Sequence, residues 1–156
     1  MRGGGMEGKK VAVLMGSAKD MPKMEPAIEA LLRFEVPHEV HVMSAHRDPD
    51  QVAAFARRAR ADGFGVVICG AGKAAHLAGV VAAHTTVPVI GVPIAAGGLG
   101  GLDALLSTVQ MPTGIPVATV AIDGAANAAY LAIAILSIHE ERYVGELDAL
   151  RGELRA

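Results

Sequence analysis

The chain has 156 residues and a mass of 16.0 kDa, with 52% hydrophobic residues and a mean hydropathy of +0.40. These values fit one domain with a real core and exclude intrinsic disorder. Fourteen basic against sixteen acidic residues give a net charge of −2, which argues against a nucleic-acid surface. No apolar run approaches the roughly 20 residues that a membrane-spanning helix needs. Cys69 is the only cysteine, so an internal disulfide and a thiolate zinc cluster are both excluded, and a reducing cytoplasm fits. Residues 1–9 have glycines and two basic residues but no apolar core of a secretory signal. They read as a flexible extension to a single domain over residues 10–156. Aromatic residues are 3% with no Trp, which leaves few platforms for stacking a flavin or a base. Nineteen glycines, against a usual share near 7%, point to tight turns where backbone approaches a ligand.

In chain order, Val11–Met15 predicts the first strand, followed by Gly16-Ser17-Ala18-Lys19-Asp20 and a helix over Pro22–Phe34. Val40–Met43 is the second strand, followed by Ser44-Ala45-His46-Arg47 and a helix over Pro49–Asp62. Pro22 and Pro49 suit first turns, where the missing N–H costs nothing, and Gly63 suits a C-cap. Val66–Cys69 leads into Gly70-Ala71-Gly72-Lys73 and a helix over Ala74–Ala83; Val89–Val92 leads into Pro93–Gly101 and a helix over Leu102–Val109. Gln110–Pro116 reads as a rigid loop on the opposite or subunit-facing side, before a fifth strand at Val117–Ile122. The strands are β-branched and nearly continuous in apolar residues, as in a parallel sheet covered on both faces. Strand and helix alternating in this way predict a doubly wound α/β sandwich with right-handed crossovers. Asp123 can cap a last helix over Ala125–Ile138, which is apolar nearly all round except Asn127 and Ser137. Such a helix must be buried on every side, so it predicts a subunit interface, with a polar tail from His139 to Ala156.

Ligands of such sheets bind beyond the carboxyl ends of the strands, and each chemically notable segment falls on that rim. Gly70-Ala-Gly72-Lys-Ala-Ala75 matches a dinucleotide fingerprint, but no acidic residue occurs between Asp62 and Asp103 to hold a ribose. A P-loop also fails, because Ala74 follows Lys73 and Val67 stands at the first glycine position. What remains is a glycine turn suited to an anion or to close substrate approach. The acid-free stretch carries Lys73, His76 and His84, a positive field that favours an anionic substrate. Ser17 offers a hydroxyl, and Asp20 either holds a sugar hydroxyl or caps a helix. His46 is a side chain matched to proton transfer near neutral pH, beside Arg47, which can grip a phosphate or carboxylate. His46 and His76 form the rim pair, whereas His38, His41 and His139 read as surface residues. Two histidines without acidic or thiol partners make a poor metal site, and Cys69 reads as core.

Taken together, Met15–Asp20, Ser44–Arg47, Gly70–Leu77 and Gln110–Pro116 resemble the N5-carboxyaminoimidazole ribonucleotide mutases, the PurE-type catalytic subunits of purine biosynthesis. The resemblance runs from about Val11 to His139. It implies a flavodoxin-like three-layer fold with the C-terminal helix used in oligomerisation, a cytoplasmic homo-octamer with active sites at subunit contacts, and no cofactor or metal. It implies an anionic ribonucleotide substrate and a carbon dioxide intermediate, with no nucleic-acid or membrane partner. Ser17, Asp20, Ser44 and Arg47 would then bind the ribose phosphate, and His46 would be the general acid/base at the ring carbon. Gly70 to Gly72, with His76 and Leu77, would form the loop closing over the carboxylate. The chain departs from the pattern at Lys19, Lys73, Ala78 and Gly100, where the family usually has Ser, Gly, Pro and Ser. Lys19 and Lys73 become cations that can contact the substrate phosphate or carboxylate. Ala75-His76-Leu77 resembles the mutase branch; the alternatives are direct carboxylation of aminoimidazole ribonucleotide, or a noncatalytic nucleotide-binding module on the same fold.

Overall fold

The computed structural model describes residues 8–155. Most of the extension expected at residues 1–9 lies outside them. Five strands, β1 (Lys10–Met15), β2 (His38–Val42), β3 (Phe64–Gly72), β4 (Val89–Ile94) and β5 (Ala118–Thr119), form one sheet in the order β2-β1-β3-β4-β5. Every pairing is parallel. The helices are α1 (Met21–Arg33), α2 (Pro49–Arg58), α3 (Leu77–His84), α4 (Leu102–Val109), α5 (Ala125–Leu136) and α6 (Arg142–Glu153).

Strand alternation splits the core in two. Val11, Val13, Met15, Val66, Ile68, Ile90 and Val92 face α1, α5 and α6. Ala12, Leu14, Val67, Cys69 and Val89 face α2 and α3. Helices therefore cover both faces, and the expected doubly wound three-layer sandwich is the observed one. Pro22 and Pro49 lie in the first turns of their helices. Gly63 has φ +88°, a left-handed turn that glycine enters without a Cβ clash, and it follows α2 after a short run of turns.

The fifth strand, expected over Val117–Ile122, pairs with β4 only at Ala118–Thr119, and three helical elements differ from expectation as well. First, α3 starts at Leu77 rather than Ala74, because Lys73 turns the chain at φ +54° and His76 becomes the N-cap. Second, the tail expected to be polar contains α6, whose Tyr143, Leu147 and half-buried Leu150 recur at helical spacing against the first core. Third, α5 lies on the sheet beside α1 and α6 and buries Ala125, Ala128, Ala129, Ala132, Ile133 and Leu136 within the chain's own core. Burial of Ile133 or Leu136 contributes about 1.5–3 kcal/mol each. The apolarity of α5 is therefore largely accounted for inside the chain and does not by itself require a second copy. Asp123 does not cap this helix: its N-cap is Gly124, with no side-chain hydrogen bond. Asp123 instead accepts from the Ala95 amide at 3.0 Å and pairs with Lys23 at 2.6 Å, tying α1 to the segment after β4.

Candidate active site

At the end of β1, Ser17 has extended backbone and opens a short 3-10 turn over Ala18–Asp20. The Ser17 hydroxyl accepts from the Lys19 amide at 3.2 Å, and the Asp20 carboxylate accepts from the Ser17 amide at 3.1 Å. This reciprocal cap locks the two side chains together. Partial burial pushes the Asp20 carboxyl above its ordinary value, opposed by the Ser17 N–H and the Arg47 charge.

The turn after β2 is organised in a similar way. Ser44 is buried, and its hydroxyl accepts from the Arg47 amide at 3.2 Å. Arg47 donates from its guanidinium to the Gly16 carbonyl at 2.8 Å, which joins the first two turns. Asp20, Arg47 and Ser17 thus form one connected polar edge, with an exposed Lys19 beside it.

His46 and His76 meet across the cleft. Their Nε2 and Nδ1 atoms are 2.7 Å apart, with the rings nearly perpendicular at 89°. A hydrogen bond of this kind needs one ring to donate and the other to accept. The 73–76 turn that carries His76 is held from α4. Ser107 Oγ accepts from the Ala75 amide at 3.0 Å and lies 3.2 Å from the Lys73 carbonyl, to which it can donate.

These segments enclose a cleft of about 520 Å³, lined by Ser17, Lys19, Asp20, Ser44, His46, Arg47, Gly72, Lys73, His76 and Leu77. Ten of the eleven candidate residues therefore share one cavity. Gly70 is the exception. Instead of forming a closing loop, Gly70 to Gly72 are the last residues of β3. A Cβ at Gly70 would collide with Met24 Sδ, so this glycine makes room for α1. Gly16, Ala45, Ala71, Ala74 and Ala96 also line the cleft. Sequence reasoning missed Ser107 as a support, although a Ser107-Thr108 pair among the apolar residues of the second half of α4 was a usable signal. His38 is held by the Val36 carbonyl and His84 by the Val80 carbonyl, both away from the cleft. Burial pushes the Cys69 thiol far up, so it is not a nucleophile. Among the described residues no cluster of three or more His, Cys, Asp or Glu could hold a metal.

The cleft offers cations and hydroxyls for an anionic substrate, with a titratable histidine pair opposite them. It can bind a phosphorylated small molecule and move a proton on it. Known proteins match this arrangement at the level of sequence and fold. The chain is 53% identical over 94% of its length to an N5-carboxyaminoimidazole ribonucleotide mutase of Pyrococcus abyssi, covering 84% of that protein. It is 55% identical to the enzyme of the same name from Mycobacterium tuberculosis, over 95% of this chain and 85% of that one. The crystal structure of Treponema denticola PurE superposes with a TM-score of 0.85 at 27% identity, covering 94% of this chain and 92% of that one. The family model described as AIR carboxylase matches residues 10–156, so the whole α/β domain that builds this cleft belongs to the AIR carboxylase family.

Proposed function

We propose that this chain catalyses the reversible conversion of N5-carboxyaminoimidazole ribonucleotide to 4-carboxyaminoimidazole ribonucleotide in purine biosynthesis. The observation that carries the reading is the His46–His76 contact of 2.7 Å in a cleft whose other wall is built from Ser17, Asp20, Ser44 and Arg47. The ribose phosphate lies along that polar wall, with Arg47 as its fixed cation and Lys19 as a second contact. The carbamate points toward Gly72, Lys73, His76 and Leu77.

The reaction begins with loss of the carbamate carboxylate. The N–C bond breaks, carbon dioxide leaves, and the exocyclic nitrogen gains a proton from protonated His46. The enamine carbon of the ring then attacks the trapped carbon dioxide and forms the new C–C bond. The ring carbon now carries both hydrogen and carboxylate; His46 takes that proton back and aromaticity returns. The proton balance is zero over the cycle, so one histidine suffices. Holding carbon dioxide beside the ring carbon supplies the proximity term, and excluding water prevents its loss. No step calls for a redox cofactor.

The relatives favour the mutase over direct carboxylation, because proteins named N5-carboxyaminoimidazole ribonucleotide mutase match over most of both chains. The phosphoribosylaminoimidazole carboxylase of Candida glabrata is 51% identical, but the match covers only 24% of that protein. We further take the active form to be a cytoplasmic homo-octamer. In support of assembly, Leu99, Leu102, Leu106 and Val109 expose an apolar stripe along and before α4 that a second copy would cover. The deciding experiment is an assay of the purified chain with each candidate ribonucleotide, with and without bicarbonate. Turnover of the N5-carboxylated substrate without bicarbonate is expected. Turnover only of aminoimidazole ribonucleotide with bicarbonate would assign the carboxylase instead.

A further inference from the structure

His76 reaches His46 only because the turn before α3 has an unusual shape. Lys73 sits at φ +54°, a conformation L side chains rarely adopt without outside support. Ala75 is 1% exposed, so its amide cannot turn to water for a partner. Residues 73–76 add only one short contact of their own, from the His76 amide to the Ala74 carbonyl at 2.9 Å. The support comes from α4. Ser107 Oγ accepts the Ala75 N–H at 3.0 Å, while its own hydrogen is shared between the Asp103 carbonyl at 2.7 Å and the Lys73 carbonyl at 3.2 Å. Donation to Asp103 is the ordinary back-bond of a helical serine and leaves a lone pair aimed at Ala75. Thr108, which is buried, adds a longer contact from its hydroxyl to the Ala75 carbonyl at 3.5 Å.

We infer that Ser107 is a positioning residue for the histidine pair: through the Ala75 amide it holds the 73–76 turn in the one shape that brings His76 Nδ1 onto His46 Nε2. Ser107 does not line the cleft and touches no reacting atom. It acts by fixing one end of a turn whose other end carries the imidazole. The functional consequence rests on the mutase reading above; the structural part does not.

The test uses the full chain with Ser107→Ala, Ser107→Thr and Ser107→Cys, read by amide hydrogen exchange without substrate and by steady-state kinetics. In Ser107→Ala the Ala75 amide should exchange at least about 10-fold faster, because the acceptor it uses is gone, while amides of β3 and α4 keep wild-type rates. Turnover should fall about 5–20-fold, the loss expected when a buried donor loses its partner. KM should change little, because the phosphate wall is untouched. Ser107→Thr keeps the oxygen and should restore both readouts. Ser107→Cys, with a weaker acceptor, should fall between, and it carries the comparison if Ser107→Ala does not fold. Wild-type protection of Ala75 in the folded Ala or Cys variant overturns the inference. So does a threonine variant that behaves like the alanine one, or fast exchange at Ala75 with unchanged kcat. An inactive wild-type chain would refute the mutase reading instead, and the exchange data would still report on the turn.

Discussion

The two ends of the sheet each carry a depression, and the larger one lies at the amino ends of the strands. At the amino ends of the strands, Arg57, Arg60, His84, Thr85, Thr86 and Gly114–Pro116 surround about 710 Å³, against about 520 Å³ for the cleft at the carboxyl ends. Both hold cations and histidine, yet their side chains are differently engaged. At the amino end, Arg60 donates to the Thr86 hydroxyl at 2.9 Å and carbonyl at 3.0 Å, and His84 donates to the Val80 carbonyl at 2.9 Å. Arg57 also stands in the last turn of α2, where its positive charge offsets the negative end of the helix dipole. Those groups stabilise the protein. At the carboxyl end the helices begin, their free amides point outward, and His46 faces His76 rather than a carbonyl. A parallel sheet with crossover helices makes its two ends chemically unequal, so cavity size is a poor guide to function here.

The largest effect that could break this contrast is at His46. His46→Asn should lower turnover by about 10²–10⁴-fold, the usual contribution of general acid/base catalysis, while calorimetry still detects the ribonucleotide. A variant with full turnover would remove the carboxyl-end cleft from the mechanism. Next, Arg47→Ala should raise KM about 10–100-fold, because a charge-assisted grip on the anion and the bond to the Gly16 carbonyl are both lost. Its effect on kcat should be much smaller. At the opposite end, Arg57→Ala and Arg60→Ala should leave KM and kcat within about twofold, as surface substitutions away from a site do. A KM rise at Arg60 to match Arg47 would mean that both ends bind the substrate.

The smallest effect concerns the tie beside the cleft. Burial pushes the Asp123 carboxyl up, but the Lys23 ammonium and the Ala95 amide outweigh it and hold it below its ordinary value. Because the folded value lies below the unfolded one, the stabilisation exists above the ordinary aspartate range and is lost as pH falls through the folded value. The melting temperature of the wild type should exceed that of Asp123→Asn by about 2–4 °C at most near neutral pH, the shift for roughly 1 kcal/mol in a domain of this size. That gap should close in acid. A gap that widened as pH fell would mean that Asp123 is not held as an ion pair.

Much of the fold was legible because it depends on local pattern. Runs such as Val11–Met15 and Val89–Val92 can be buried on both faces only in a covered parallel sheet, and that topology alone sends Ser17, Ser44, His46 and Gly72 to one rim. The shared motifs then named the chemistry. Tyr143, Leu147 and Leu150 carried a helical spacing that the charged residues between them obscured, so α6 was read as a tail.

What the tertiary structure alone decided are contacts between segments far apart in sequence. His46 and His76 are 30 positions apart, and their approach depends on how the turn at Lys73 bends, which no periodicity encodes. Gly70 looked like part of a ligand loop, but its missing side chain accommodates Met24. Asp123 looked like a helix cap, but crossover packing carried Lys23 and Ala95 to its two oxygens first. The apolar circumference of α5 was real in the sequence, but only the placement of α1, α6 and the sheet determined that Ile133 is buried inside the chain. Patterning sets which faces must leave water; the neighbours that cover them follow from strand order, helix placement and the shape of each turn.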